Sequence, residues 1–127
     1  MRYEVVLARD ADSPAAARRA VGEASDQLSP RRLEDAQLLV SELVTNSIRH
    51  AHLQLDDVIT LVVVSGAGAL RIEVCDSGSG FEPVERDPHQ ALPSGWGLYL
   101  VSELSDRWGV ERTAETRVWF ELDREAA

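Results

Sequence analysis

The order of elements in the chain predicts an α+β fold: a two-layer sandwich with helices on one face of a mixed, mostly antiparallel sheet. Three observations lead there. The apolar pattern reads strand, helix, helix, hairpin, loop, helix, hairpin, so strands are joined mainly by tight turns. A doubly wound parallel sheet needs alternating helical crossovers, which this order does not supply. In residues 70–75, Leu70, Ile72 and Val74 alternate with Arg71, Glu73 and Cys75, the mark of a sheet covered on one face only.

Each element has a local cause. Residues 3–8 (YEVVLA) are short and rich in β-formers, and read as the first strand. Asp12-Ser13-Pro14 offers a capping side chain followed by proline at the first helical position, so a helix is expected over 15–28, with a weak point at Gly22. Ser29-Pro30 repeats the signal and opens a longer helix to about residue 51. Its apolar positions Leu33, Ala36, Val40, Leu43, Val44 and Ile48 keep the helical period. Residues 58–64 (VITLVVV) form an apolar run of strand length, and Ser65-Gly66-Ala67-Gly68 supplies the turn into the strand 70–75. The segment DSGSGFEPVERDPHQALPSGWG has no clear periodicity, and long irregular loops inside compact domains are usually functional. A helix is expected over 98–106, followed by strands 107–112 and 117–122 joined by the turn 113–116. The aromatic residues Trp108, Trp119 and Phe120 are expected to pack on the sheet.

Composition narrows the class. With 127 residues, of which 44% are hydrophobic, the chain suits a single globular domain over 1–127. One cysteine, Cys75, leaves no intramolecular disulfide and suits a reducing interior. Met1 leads into RYEVVLARDADS, which lacks the apolar core and cleavage site of an export signal, and no apolar run is long enough to span a bilayer. The expectation is a cytoplasmic protein without membrane contact. The net charge of −9, with scattered arginines and no lysine, argues against direct nucleic-acid binding, which depends on phosphate neutralisation.

Three groups of residues then point to chemistry. Glu42, Asn46 and His50 recur every four positions and form one stripe on the long helix, an arrangement that packing does not require. Asp76 ends a strand and is followed by Gly78 and Gly80; the glycines permit close backbone approach to a ligand, and the carboxylate accepts a hydrogen bond from an amino group such as that of adenine. Gly95-Trp96-Gly97-Leu98 stands where the irregular loop becomes a helix, and a helix N-terminus offers free N–H groups and a positive dipole end to phosphate. Neither a Walker P-loop nor a G-x-G-x-x-G fingerprint occurs.

Taken in order, E-x-x-x-N, hairpin, D-x-G-x-G, short loop and G-x-G-L resemble the ATPase superfamily that includes gyrase, histidine kinases and MutL, whose nucleotide-binding domain is the Bergerat fold. SELVTNSIRHA (41–51) resembles its N box, CDSGSGF (75–81) its first glycine box and GWGLYLV (95–101) its second; residues 82–94 correspond to the ATP lid. The resemblance implies ATP and Mg²⁺ as ligands. It places Asn46 on the metal and Glu42 as the catalytic base, with Asp76 reading adenine. Gly78, Gly80, Gly95, Gly97 and Leu98 line the nucleotide, and Arg86 is the cationic lid residue that meets the phosphates, with His89 the weaker candidate.

Within that superfamily the segments LLVSELVTNSIRHA and GLYLVSELSDRWGV are most similar to the bacterial anti-sigma-factor serine kinases. The resemblance implies two protein partners, a sigma factor and an anti-anti-sigma protein of the STAS type that is phosphorylated on serine, and it alone suggests a homodimer. The family pattern also places a small hydroxyl residue on the last strand, just before a V-W or V-Y pair. Here Arg117 precedes Val118-Trp119, and Thr116 lies one residue earlier. Since a one-residue offset turns a strand side chain to the other face, either a bulge restores Thr116 to the nucleotide or adenine is held by Asp76 and water. Two other functions fit the same motifs: a regulator that binds ATP or a partner without catalysis, and a histidine-kinase catalytic domain, which the short lid disfavours.

Overall fold

The structure is a computed structural model describing residues 1–8, 10–24, 28–50, 58–66, 68–76, 93–112 and 115–124. Its elements run β1 (Arg2–Leu7), α1 (Ser13–Ala24), α2 (Pro30–His50), β2 (Ile59–Ser65), β3 (Ala69–Asp76), α3 (Pro93–Leu104), β4 (Arg107–Arg112) and β5 (Thr116–Asp123). The strands form one five-stranded sheet in the order β1-β2-β3-β5-β4. Every pairing among the described strands is antiparallel, so the α+β architecture and mostly antiparallel sheet expected from the hairpins are observed.

Side-chain capping follows the sequence signal at α2 but not at α1. Ser29 caps α2, its Oγ accepting from the Arg32 backbone N–H at 3.2 Å while its carbonyl accepts from Leu33 at 2.9 Å, with Pro30 at the first helical position. Asp12 starts α1 through its carbonyl, which accepts from Ala16 at 3.0 Å. The Ser13 side chain is buried and donates to the Ala8 carbonyl, fastening the helix start to the end of β1. Gly22, a poor helix former, sits where α1 meets α2; a Cβ there would approach Gln37 Nε2 at 3.2 Å, and Gln37 donates to the Arg18 carbonyl at 3.1 Å. Close packing against α2 accounts for the glycine.

The core lies between the helices and one sheet face. Ile59, Leu61 and Val63 of β2, Leu70, Ile72 and Val74 of β3, and Phe120 and Leu122 of β5 point to that side. They meet Ala17 and Val21 of α1, Leu39, Val40, Leu43 and Val44 of α2, and Val101 of α3. Each fully buried large apolar side chain contributes roughly 1.5–3 kcal/mol of transfer free energy, which makes this layer the main source of stability. Among the described residues no helix is long and apolar enough to cross a membrane.

The third helix differs most from expectation. It begins at Pro93 rather than near residue 98, so Gly95 and Gly97 lie within its first turns. Proline is pre-organised for a first helical position, and glycine in a helix costs only about 1 kcal/mol, so the helix starts before its apolar period becomes visible. The expectations for Trp108 and Phe120 also separate. Phe120 is fully buried in the core, whereas Trp108 on the edge strand β4 is 41% exposed.

Candidate functional site

The sheet has two chemically different ends. At one end Asp106, just before β4, accepts the Asp123 backbone N–H at 2.7 Å and pairs with Arg32 of α2 at 3.2 Å. Arg32 also donates to the carbonyl of Leu104, the last residue of α3, at 3.5 Å. The N-terminus of α2 and the C-terminus of α3 are therefore pinned beside the Asp123 end of β5. From that anchor α2 extends roughly 30 Å and α3 roughly 18 Å, while β5 covers roughly 27 Å. The C-terminal part of α2 and the N-terminal turns of α3 are the parts of those helices farthest from that anchor, as Asp76 and Thr116 are the β3–β5 partners farthest from Asp123.

Two of the candidate residues meet where β3 finishes and β5 begins. Asp76 and Thr116 face each other in the β3–β5 register, and they are 5% and 6% exposed. Pairing runs without interruption from Asp76↔Thr116 to Ala69↔Asp123. Thr116 therefore shares the helix-facing side with Val74, Val118 and Asp76, and needs no bulge to reach it. Arg117 points to the opposite face, where it pairs with Cys75. The bulge expected as the means of restoring Thr116 is not what is observed: regular pairing already puts Thr116 on the face of Asp76.

Glu42 and Asn46 are half-buried on α2. Their four-residue spacing separates them by about 40° around the axis, beside the stripe of Leu39, Leu43 and Val44 that packs on the sheet. Gly95, Gly97 and Leu98 are placed by their backbone in the first turns of α3, the positive end of its dipole. Gly78, Gly80, Arg86, His89 and positions 82–92 of the expected lid lie outside the described residues, as does the side chain of His50, while positions 93 and 94 open α3. Among the described residues no group of three or more His, Cys, Asp or Glu side chains is placed to hold a metal. A single amide oxygen from Asn46 suits Mg²⁺ that arrives with phosphate oxygens, since that ion keeps few protein ligands.

The open face behind the site carries residues that the motifs do not include. Arg117 lies 3.5 Å from Glu73, 3.3 Å from Glu111 and 3.5 Å from Glu115. Arg71 continues the chain to Glu73 at 2.8 Å and Glu121 at 3.3 Å, and Arg107 reaches Glu121 at 2.6 Å and also Asp123. Arg71 stacks on the Trp119 ring at 4.1 Å from its centroid. Burial pushes the Cys75 thiol up, and a hydrogen bond with Arg117 offsets part of that shift. The sequence signal for this network was the period-two alternation of opposite charges in Arg71-x-Glu73 and Arg117-x-Trp119-x-Glu121.

A buried Asp76–Thr116 pair at a sheet end and a half-buried acid-amide stripe on α2 suit an ATP-binding domain. The chain belongs to the Histidine kinase-like ATPase domain family, matching it over residues 7–122. It is 31% identical over 119 residues to the Anti-sigma F factor of Clostridium acetobutylicum, covering 87% of this chain and 83% of that protein. The Anti-sigma F factor of a Thermoanaerobacter species is 35% identical over 106 residues, covering 76% and 74%. The Serine-protein kinase RsbW of Listeria monocytogenes is 31% identical over 86 residues, covering 58% of this chain and 55% of that one. Among solved structures, the blue-light activated histidine kinase of Erythrobacter litoralis EL346 is similar in fold, with a TM-score of 0.63 at 22% identity; 85% of this chain aligns with 39% of that one. Its separate histidine kinase domain gives a TM-score of 0.61 at 23% identity, and the chain spans 58% of its length.

Proposed function

We propose that this protein is an ATP-dependent anti-sigma factor that phosphorylates a serine on an anti-anti-sigma partner of the STAS type. The observation that supports the reading is the buried pairing of Asp76 with Thr116 at one end of the β3–β5 ladder, together with the half-buried Glu42/Asn46 stripe on α2. The likeness to two anti-sigma F factors and to a serine-protein kinase supports a sigma-factor partner and a serine acceptor. The family match over 7–122 supports a single domain that does the work. A cytoplasmic location follows from a sigma-factor partner, and a homodimer is part of the same reading.

Asp76 accepts from the adenine amino group, and Thr116 beside it, directly or through water, closes the polar edge of the base. The N–H groups at the start of α3 meet the phosphates. Mg²⁺, when bound, neutralises charge on the β- and γ-phosphates, with Asn46 as its oxygen ligand from the protein. Glu42 takes the proton of the partner's serine hydroxyl. The serine oxygen bonds to the γ-phosphorus while the bond to the β–γ bridging oxygen breaks and ADP leaves.

Transfer of radiolabelled γ-phosphate from ATP to candidate anti-anti-sigma proteins tests the reading. Label on a partner serine, abolished in Asn46→Ala, is expected. Binding of Mg-ATP and of a sigma factor with no label on any partner identifies a non-catalytic regulator instead.

A further inference from the structure

The sequence made Arg117 look like a departure at the adenine site, yet its surroundings give it a part there. Its guanidinium is held among three carboxylates from three places: Glu73 on β3, Glu111 on β4 and Glu115 in the residue before β5. The two adjacent rungs of the sheet carry opposite tasks. On the helix-facing side Asp76 stands against Thr116; one residue along on the open side Cys75 stands against Arg117. Glu111 is the register partner of Arg117 itself, and Glu115 is bonded directly to Thr116.

Electrostatics give this arrangement a direction. Without Arg117, Glu111 and Glu115 lose this cation and Glu73 keeps only its pairing with Arg71, so repulsion among the three like charges grows. The repulsion acts on the first residues of β5, because Glu115 and Arg117 flank Thr116. Exposed ion pairs are individually weak, and these side chains are 14–51% exposed, so the effect is local ordering rather than a large share of global stability.

We propose that Arg117 is a positioning residue for the adenine site: by gathering Glu73, Glu111 and Glu115 on the open face it holds the start of β5 against β3 and so keeps Thr116 opposite Asp76. The proposal rests on the nucleotide reading of Asp76 and Thr116 given above. It assigns the family-divergent arginine a supporting role from behind the sheet, with no contact to nucleotide.

The test uses three proteins: wild type, Arg117→Met and Arg117→Lys. Hydrogen exchange in the absence of nucleotide is read on the peptide 111–118, and Mg-ATP and Mg-GTP affinities are read by calorimetry. Arg117→Met is expected to exchange faster in that peptide, bind Mg-ATP about tenfold more weakly, a change on the scale of one lost polar interaction, and discriminate less between ATP and GTP. Arg117→Lys keeps the charge and is expected to recover most of the affinity and the discrimination. A purely structural role lowers the melting temperature without narrowing the ATP-to-GTP ratio, and that outcome overturns the proposal, as does unchanged exchange. Should Arg117→Met fail to fold, the double variant Glu111→Gln with Glu115→Gln removes two exposed tethers; faster exchange in the peptide supports the proposal and unchanged exchange overturns it. Wild-type protein that binds no ATP refutes the nucleotide reading instead, and the exchange data then still report on the clamp.

Discussion

Thr116 stands opposite Asp76 across the β3–β5 pairing, and both side chains are almost sealed from solvent. A buried carboxylate needs hydrogen-bond partners, and an adenine amino group is a donor of the right kind. Replacing Asp76 by Asn turns part of that acceptor into a donor facing the amino group. Mg-ATP affinity in Asp76→Asn is expected to fall between about tenfold and a hundredfold, the scale of a hydrogen bond to a charged group. Thr116→Val, which keeps the shape and removes the hydroxyl, is expected to weaken binding by less. Isothermal calorimetry on the two variants checks both the direction and the order.

The Thr116 position shows what the sequence could and could not carry. Local patterns placed β3 and β5 to within a residue or two, but which face Thr116 takes depends on its pairing with β3, some forty positions away. Charge alternation in Arg71-x-Glu73 was visible as one covered face; that Arg117 gathers Glu73, Glu111 and Glu115 was not, because those carboxylates meet only once three strands are assembled. The start of α3 was hidden for a different reason. Gly95 and Gly97 interrupt the apolar period, so the pattern becomes legible only from Leu98 although the helix begins at Pro93. The core stripe of α2 was legible throughout, since Ala36, Val40, Leu43 and Val44 follow a period set by the element itself.

Gly109 marks a tight contact on the open face. A Cβ at this position would lie 2.8 Å from the Trp119 ring, which is held from elsewhere by the stacked Arg71 guanidinium. The ring cannot yield without giving up that stack. Gly109→Ala is expected to destabilise the protein by about 1–3 kcal/mol, as overpacking generally does, and to shift tryptophan emission as Trp119 moves. Chemical denaturation followed by fluorescence measures both.

Acid is expected to loosen the same face. The hydrogen bond from Arg107 holds the Glu121 carboxyl below its ordinary range, with burial opposing and Arg71 reinforcing. Arg107 holds Asp123 down in the same way. A carboxylate depressed on folding contributes stability that is complete above its unfolded pKa of roughly 4 and disappears as pH falls through the folded value. Melting temperature should therefore fall as pH drops below about 4. Glu121→Gln is expected to flatten part of that fall while lowering stability at neutral pH, and a pH series of thermal melts checks it.

Asp106 joins the anchored end of the molecule, where one oxygen accepts the Asp123 N–H and pairs with Arg32. Removing the carboxylate leaves a strand-end N–H and a helix-start guanidinium without this acceptor. Asp106→Ala is expected to cost about 1–3 kcal/mol, whereas Asp106→Asn keeps an acceptor for the N–H and should cost less. Because the anchor sits at the far end of α2 from Asn46, Mg-ATP should still raise the melting temperature of either variant.

Glu42 separates binding from catalysis. It lies one helical turn before Asn46 on the same half-buried stripe, which under the proposed mechanism puts both at the phosphates, while a protein that only binds ATP gains nothing from a base there. Glu42→Ala is expected to keep the thermal shift produced by Mg-ATP, since Asp76 and Asn46, the proposed ligands of adenine and metal, remain. Phosphate transfer to the partner serine should fall by about a hundredfold or more, the usual contribution of a positioned general base. Glu42→Gln distinguishes charge from shape: it fills the same space without a basic oxygen and should be as slow as Glu42→Ala. Equal transfer by wild type and Glu42→Gln, measured in single turnover with saturating partner, removes Glu42 as the base and leaves the proton to water or to the phosphate itself.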